Sequence, residues 1–196
     1  MPSTNYYDFF GIDKKLVLDR EALQKRFYEL SRTWHPDRFS RRGVDEQAEA
    51  LEATATLNDG YRTLRDPVRR AEYLLTEEGF PIAEQRSKDV PPGLLEEVFE
   101  LNMSLEELKN GDESARVQLE SARENFLMLR EAIDKELEGL FRKYDASDSE
   151  SETAKQALHE IRGVLNRRRY IENLLRDVNR NLNPEQSAAE PFEERL

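Results

Sequence analysis

Two residues of this chain have side chains and spacing that could do chemistry at one point: His35 and Asp37, held two positions apart by Pro36. A histidine beside a carboxylate can serve as a general acid–base pair, as part of a metal site, or as polar contacts for another protein. Composition narrows the choice. The only other histidine is His159, far along the chain, and there is no cysteine. Without thiols the chain has no disulfide, no thiolate nucleophile and no sulfur of its own to ligate a cluster. An enzyme built on His35 and Asp37 would lack further catalytic residue types to complete its site. Two ligands are too few for a metal ion, and Pro36 removes the helical i, i+4 geometry that would add more. Contact with a partner fits the residues better. Asp37 can accept charge-assisted bonds from an arginine, neutral His35 offers one donor and one acceptor, and Pro36 lowers the ordering cost on binding. A helix terminator that happens to contain an acidic residue is the plainer alternative.

The elements that must position these residues are helical. Leu23, Phe27, Leu30 and Trp34 recur at four- and three-residue spacing and share one stripe. Asp19 is placed as N-cap of that helix, with Glu21 in its first turn. Pro36 pushes His35 out of the helical region and ends the helix. A second helix starts near Asp45, buries Ala50, Thr54, Leu57, Tyr61 and Leu64, and stops at Asp66-Pro67. The loop with His35, Pro36 and Asp37 therefore sits at the tip of an antiparallel pair. On the helical wheel Lys25 and Arg32 lie opposite the apolar stripe and Arg26 at its edge, while Arg38, Arg41 and Arg42 carry positive charge past the turn.

Residues 67–78 read as another short helix, with Pro67 in its first turn and Gly79 past its end. A connector spans 79–93, and helices follow at about 94–109, 112–144 and 152–182. Ala115, Leu119, Ala122, Phe126, Leu129, Ile133, Leu137, Leu140 and Tyr144 hold one stripe through the middle helix. Short turns between three antiparallel helices predict a bundle. The first of them carries two strips. Leu94, Val98, Leu101, Leu105 and Leu108 suffice for the core, while Leu95, Phe99 and Met103 form a second strip rotated by about 100°. That second strip either packs against a neighbouring element or faces a partner. Residues 183–196 are polar and acidic and are expected to be disordered.

The chain has 196 residues, 36% of them charged, and a formal net charge of −11. Most of the negative excess lies after residue 78, which argues against nucleic-acid binding through phosphate neutralisation. No apolar run approaches a bilayer-spanning length. Without a secretory or transit signature either, the expected setting is a soluble, reducing one, most simply cytoplasm.

Residues 6–79 resemble a J domain. The Tyr6-Tyr7-Asp8-Phe9-Phe10-Gly11-Ile12 opening, the helix, the His-Pro-Asp turn and the long antiparallel helix come in order. The flanks are similar to the HscB family: His35-Pro36-Asp37-Arg38-Phe39, Leu57-Asn58, Tyr61-Arg62-Thr63-Leu64, Arg70-Ala71-Glu72-Tyr73-Leu74-Leu75 and Gly79-Phe80. The resemblance implies an all-α, L-shaped molecule: a J domain over 1–78, a linker over 79–93, a scaffold-binding three-helix bundle over 94–182 and a tail over 183–196. It implies a co-chaperone that is not itself an enzyme. Such a protein stimulates the ATPase of an HscA/DnaK-type chaperone and delivers an IscU-type scaffold to it during iron–sulfur cluster assembly. A J-domain adaptor for an unrelated client is the alternative.

Residue by residue, the resemblance assigns chaperone binding to His35, Pro36 and Asp37, framed by Arg26, Arg32, Lys25 and Arg38. It assigns scaffold binding to Leu95, Glu96, Phe99, Glu100, Met103 and Tyr170. This chain departs from the family in places. Tyr28 and Glu29 stand where many J domains have basic residues, Glu96 stands where Met is common, and Met103 replaces an acidic residue. The implied chain binds no cofactor or metal directly, meets a cluster only through the scaffold, and is a monomer or weak dimer.

Overall fold

The computed structural model describes residues 5–80, 92–148 and 151–183, and within them every regular element is helical. In chain order these are α1 (Tyr6–Phe10), α2 (Arg20–Trp34), a 3-10 turn (Pro36–Arg38), α3 (Val44–Leu64), α4 (Pro67–Glu77), a second 3-10 turn (Pro92–Leu94), α5 (Leu95–Lys109), α6 (Ala115–Asp145) and α7 (Glu152–Leu182). Most of the expected connector and nearly all of the expected tail lie outside the described residues. The chain forms two compact units: Met1–Pro81 with Leu140–Ile161, and Ile82–Gly139 with Arg162–Leu196.

The first unit is organised by the α2–α3 pair. Asp19 caps α2 as its sequence position predicts, accepting hydrogen bonds from the Glu21 and Ala22 amides at 2.9 and 3.1 Å. Gly43 precedes α3, where the Glu46 carboxylate reaches back to its amide. Asp66 caps α4 through the Val68 and Arg69 amides, Pro67 occupies the first position, and Gly79 follows the helix with φ of 78°. The core joins Leu23 of α2 to Ala50, Leu57 and Leu64 of α3 and to Leu74 and Leu75 of α4, all buried. Gly60 lets α1 close on α3. A methyl group there would stand 2.9 Å from the Phe10 ring and 3.1 Å from that of Tyr6.

Two long-range polar links complete this unit. The buried Arg70 guanidinium donates to the carbonyls of Leu16 and Leu64. The Leu16 and Val17 amides donate in turn to the two Asp145 carboxylate oxygens at 2.8 and 2.7 Å. Phe80 meets His159 edge-on at 4.7 Å. The last turn of α6 and the first turns of α7 are thereby fastened to the N-terminal helices.

The second unit is a three-helix bundle of α5 and the adjoining lengths of α6 and α7. Its core includes Leu101, Leu119, Phe126, Ile133 and Leu137 against Val164, Ile171, Leu175 and Val178. The α6–α7 seam carries an ion-pair network. Arg168 pairs with Asp134 at 2.6 Å and with Glu172 at 3.3 Å, and Glu172 also meets Arg130 at 3.5 Å. Networks of this kind count for more than isolated surface pairs, which contribute about 0–1 kcal/mol. One boundary moved. α6 starts at Ala115 rather than 112, because the Asp112 carboxylate captures the Ser114 amide and hydroxyl at 2.9 and 2.6 Å and holds a turn outside the helix.

Candidate chaperone-binding turn and scaffold-binding strip

The His-Pro-Asp turn is rigid in its backbone and open in its side chains. Because Pro36 bars the helical region to its predecessor, His35 takes φ −59° and ψ 126° and ends α2. Pro36 then starts the first 3-10 turn. Trp34 stacks on Phe39 across the turn at 6.1 Å with the rings 9° apart. The Thr54 hydroxyl of α3 lies 3.0 Å from the Trp34 carbonyl and 2.8 Å from that of Ala50, so its one proton can tie the end of α2 to α3. Ser40 donates to the Asp37 carbonyl at 2.9 Å.

His35 Nδ1 accepts the Asp37 amide at 3.3 Å and stands 3.6 Å from the Asp37 carboxylate. The first contact needs an unprotonated Nδ1, and the second would need a protonated one. The amide contact uses the Nδ1 lone pair. The Asp37 side chain is 90% exposed. His35, Pro36 and Asp37 are all exposed on a backbone that is already ordered.

The four basic residues expected beside the turn divide into two kinds. Arg26 Nε donates to the Phe10 carbonyl at 2.7 Å, and its Nη1 meets Glu29 at 3.2 Å. It braces α2 against α1. Arg38 folds back to donate to the Arg32 carbonyl at 3.0 Å, serving the last turn of α2. The side chains of Lys25 and Arg32 are exposed and make no ion pair among the described residues; Arg41 shares this state. Lys25, Arg32 and Arg41 are free to meet an acidic partner, and exposed Arg38 keeps its charge and its remaining donors for one. Helical position alone could not tell a free arginine from one aimed at a nearby carbonyl.

On α5 the second strip is exposed: Leu95 by 56%, Phe99 by 65% and Met103 by 48%. Glu96 and Glu100 are exposed beside it, and Tyr170 on α7 is half-buried, its phenol pushed up by burial. Met103 and Glu100 also border a groove of about 410 Å³ between α5 and α6, floored by Leu101 and Phe126. Tyr170 does not line that groove. Sequence reasoning missed Val117 and Met128 of α6, which are 71% and 62% exposed. Their separation of eleven residues, about three turns, put them on one face away from the buried stripe. No cluster of three or more metal-ligating side chains occurs among the described residues. No described helix is long and apolar enough to cross a membrane.

A helical pair presenting an exposed His-Pro-Asp turn defines a J-domain protein, the class that works with Hsp70-type chaperones. Residues 5–73 match the DnaJ domain family model. The similarity extends over most of the chain in two solved structures. Chaperone HscB from Vibrio cholerae is 26% identical with a TM-score of 0.61, over 90% of this chain and 96% of that one. The human co-chaperone protein HscB is 25% identical with a TM-score of 0.66, over 94% of this chain and 85% of that one. The chain therefore carries a J domain and is similar to HscB co-chaperones over most of its length.

Proposed function

We propose that this protein engages an HscA/DnaK-type ATPase chaperone through His35, Pro36 and Asp37, stimulates its ATP hydrolysis, and brings it an IscU-type scaffold during iron–sulfur cluster assembly. The observation that carries the first part is the turn itself, held by its own backbone contacts with its side chains exposed. Pre-ordering reduces the entropy lost on docking. Lys25, Arg32 and Arg41 supply the field that steers an acidic surface toward it. Stimulation is then a population shift: the bound turn must favour the hydrolysis-competent chaperone conformer over the other. The chain performs no bond chemistry of its own.

The scaffold reading rests on Leu95, Phe99 and Met103, three large apolar side chains left in solvent on one helix. Such strips mark interaction surfaces more often than isolated exposed residues do. Glu96, Glu100 and Tyr170 would complete the contact at its polar edge. A cluster would ride on the scaffold, since this chain offers no thiolate to it. The setting is cytoplasmic. Calorimetric titration with an IscU-type scaffold tests this half of the proposal. Saturable binding weakened about tenfold by Phe99→Ala supports it. No binding by the wild-type chain refutes it and leaves a J protein with another client.

A further inference from the structure

At the start of α2, roughly 20 Å along that helix from the His35 turn, the first unit holds a cavity of about 500 Å³. Arg20, Arg65 and Arg70 line it together with Asp66, Leu23 and Pro67. Arg70 is the built part of the site, 6% exposed, with Nε and Nη1 spent on the Leu16 and Leu64 carbonyls. Its Nη2 has no acceptor among the described residues. Arg65 lies over the Tyr61 ring at 5.7 Å, which leaves its donors unspent. Arg20 makes no ion pair among the described residues and is exposed.

The carboxylates nearby are already engaged. Asp66 accepts the Val68 and Arg69 amides, each at 2.9 Å. Asp145, which faces Arg70 from α6, holds the Leu16 and Val17 amides. The amides at the start of α4 are thus taken, and the guanidinium groups alone define the site. Three guanidiniums against the two carboxylates, Asp66 and Asp145, leave an excess of one positive charge. The chain as a whole carries −11, so attraction of an anion here is local rather than diffuse.

We propose that this cavity binds a phosphoryl oxyanion, free or at the end of a nucleotide, between Arg20, Arg65 and the free edge of Arg70. Guanidinium forks match phosphoryl oxygens two at a time, and the space exceeds what one carboxylate fills. An anion held there immobilises Arg70, and through it the Leu16 backbone that Asp145 grips. Occupancy therefore tightens the fastening of the α6 end to the N-terminal helices. The site is independent of the co-chaperone reading.

The test is calorimetric titration and thermal melting of the full chain with inorganic phosphate, pyrophosphate and ATP, at constant ionic strength set with chloride. The expected result is saturable one-to-one binding of pyrophosphate or ATP and a raised melting temperature. Arg20→Gln with Arg65→Gln, both at exposed positions, should weaken it about tenfold or more. Lys109→Gln with Arg180→Gln, remote exposed cations, should leave it unchanged. Tighter binding of ATP than pyrophosphate assigns the site to nucleotides, and equal binding assigns it to the phosphoryl group alone. Absence of saturation up to about 10 mM overturns the proposal. So does equal binding by wild type and the Arg20/Arg65 variant, or equal loss in both double variants.

Discussion

The Asp145 carboxylate holds Leu16: one oxygen accepts the Leu16 amide at 2.8 Å, and the other accepts the neighbouring Val17 amide at 2.7 Å. The two residues are 129 positions apart in the chain. Because Arg70 holds the carbonyl of the same Leu16, this one buried peptide segment is gripped from both sides. The relationship explains why the end of α6 belongs with the N-terminal helices.

Asp145→Ala should therefore cost about 1–3 kcal/mol, the range for leaving backbone donors without their charged acceptor. Amide hydrogen exchange should report it locally, with Leu16 and Val17 losing protection well before the centre of α3. Unchanged protection at both amides would show that the carboxylate is a bystander.

Gly60→Ala pits two effects against each other. Alanine favours a helix interior by about 1 kcal/mol over glycine. The new methyl would meet Phe10 at 2.9 Å and Tyr6 at 3.1 Å, and overpacking of this kind typically costs about 1–3 kcal/mol. Packing should win, and the urea midpoint should fall. A higher midpoint would mean that α1 moves aside freely.

Two α5 residues two positions apart should behave oppositely. Leu101 is 2% exposed, so Leu101→Ala should destabilise the bundle by about 2–5 kcal/mol. Phe99 is 65% exposed, so Phe99→Ala should leave the melt nearly unchanged while weakening scaffold binding. Paired melts and titrations separate the two roles. A large loss of stability from Phe99→Ala would return that strip to the core.

Alkaline unfolding should be steep. Burial, with the Glu78 and Asp145 carboxylates adding to it, pushes the Tyr144 phenol up to about 12, and burial raises Tyr7 as well. Both phenols keep their protons in the folded chain at a pH where the unfolded chain, near 10, has begun to release them. Their contribution is complete below pH 10 and is lost as pH rises toward 12 and beyond. Melting temperatures across that window, followed beside tyrosinate absorbance, check the sign. Tyr144→Phe should flatten the decline.

Much of this architecture was legible in sequence, because its signals are local. Asp19 at a cap, Pro67 in a first turn, Gly79 past an end and the bounds of α7 each depend on neighbours a few residues away. The exposed strip on α5 was legible for the same reason, since periodicity separates Phe99 from Leu101. The Arg70–Leu16–Asp145 link was not legible. It joins positions far apart, and no periodicity records which backbone segment a buried charge will meet. The carbonyl contacts of Arg26 and Arg38 were equally illegible: each guanidinium gives one donor to a backbone carbonyl of its own unit, which helical position does not record.

The most direct measurement is the steady-state ATPase rate of an HscA-type chaperone with an IscU-type scaffold, alone, with this protein, and with its His35→Gln variant. His35 is exposed, so the variant should melt like wild type. The account predicts stimulation by wild type that grows with scaffold and disappears with His35→Gln. Stimulation that survives the substitution, or none from wild type on either an HscA-type or a DnaK-type chaperone, would contradict it.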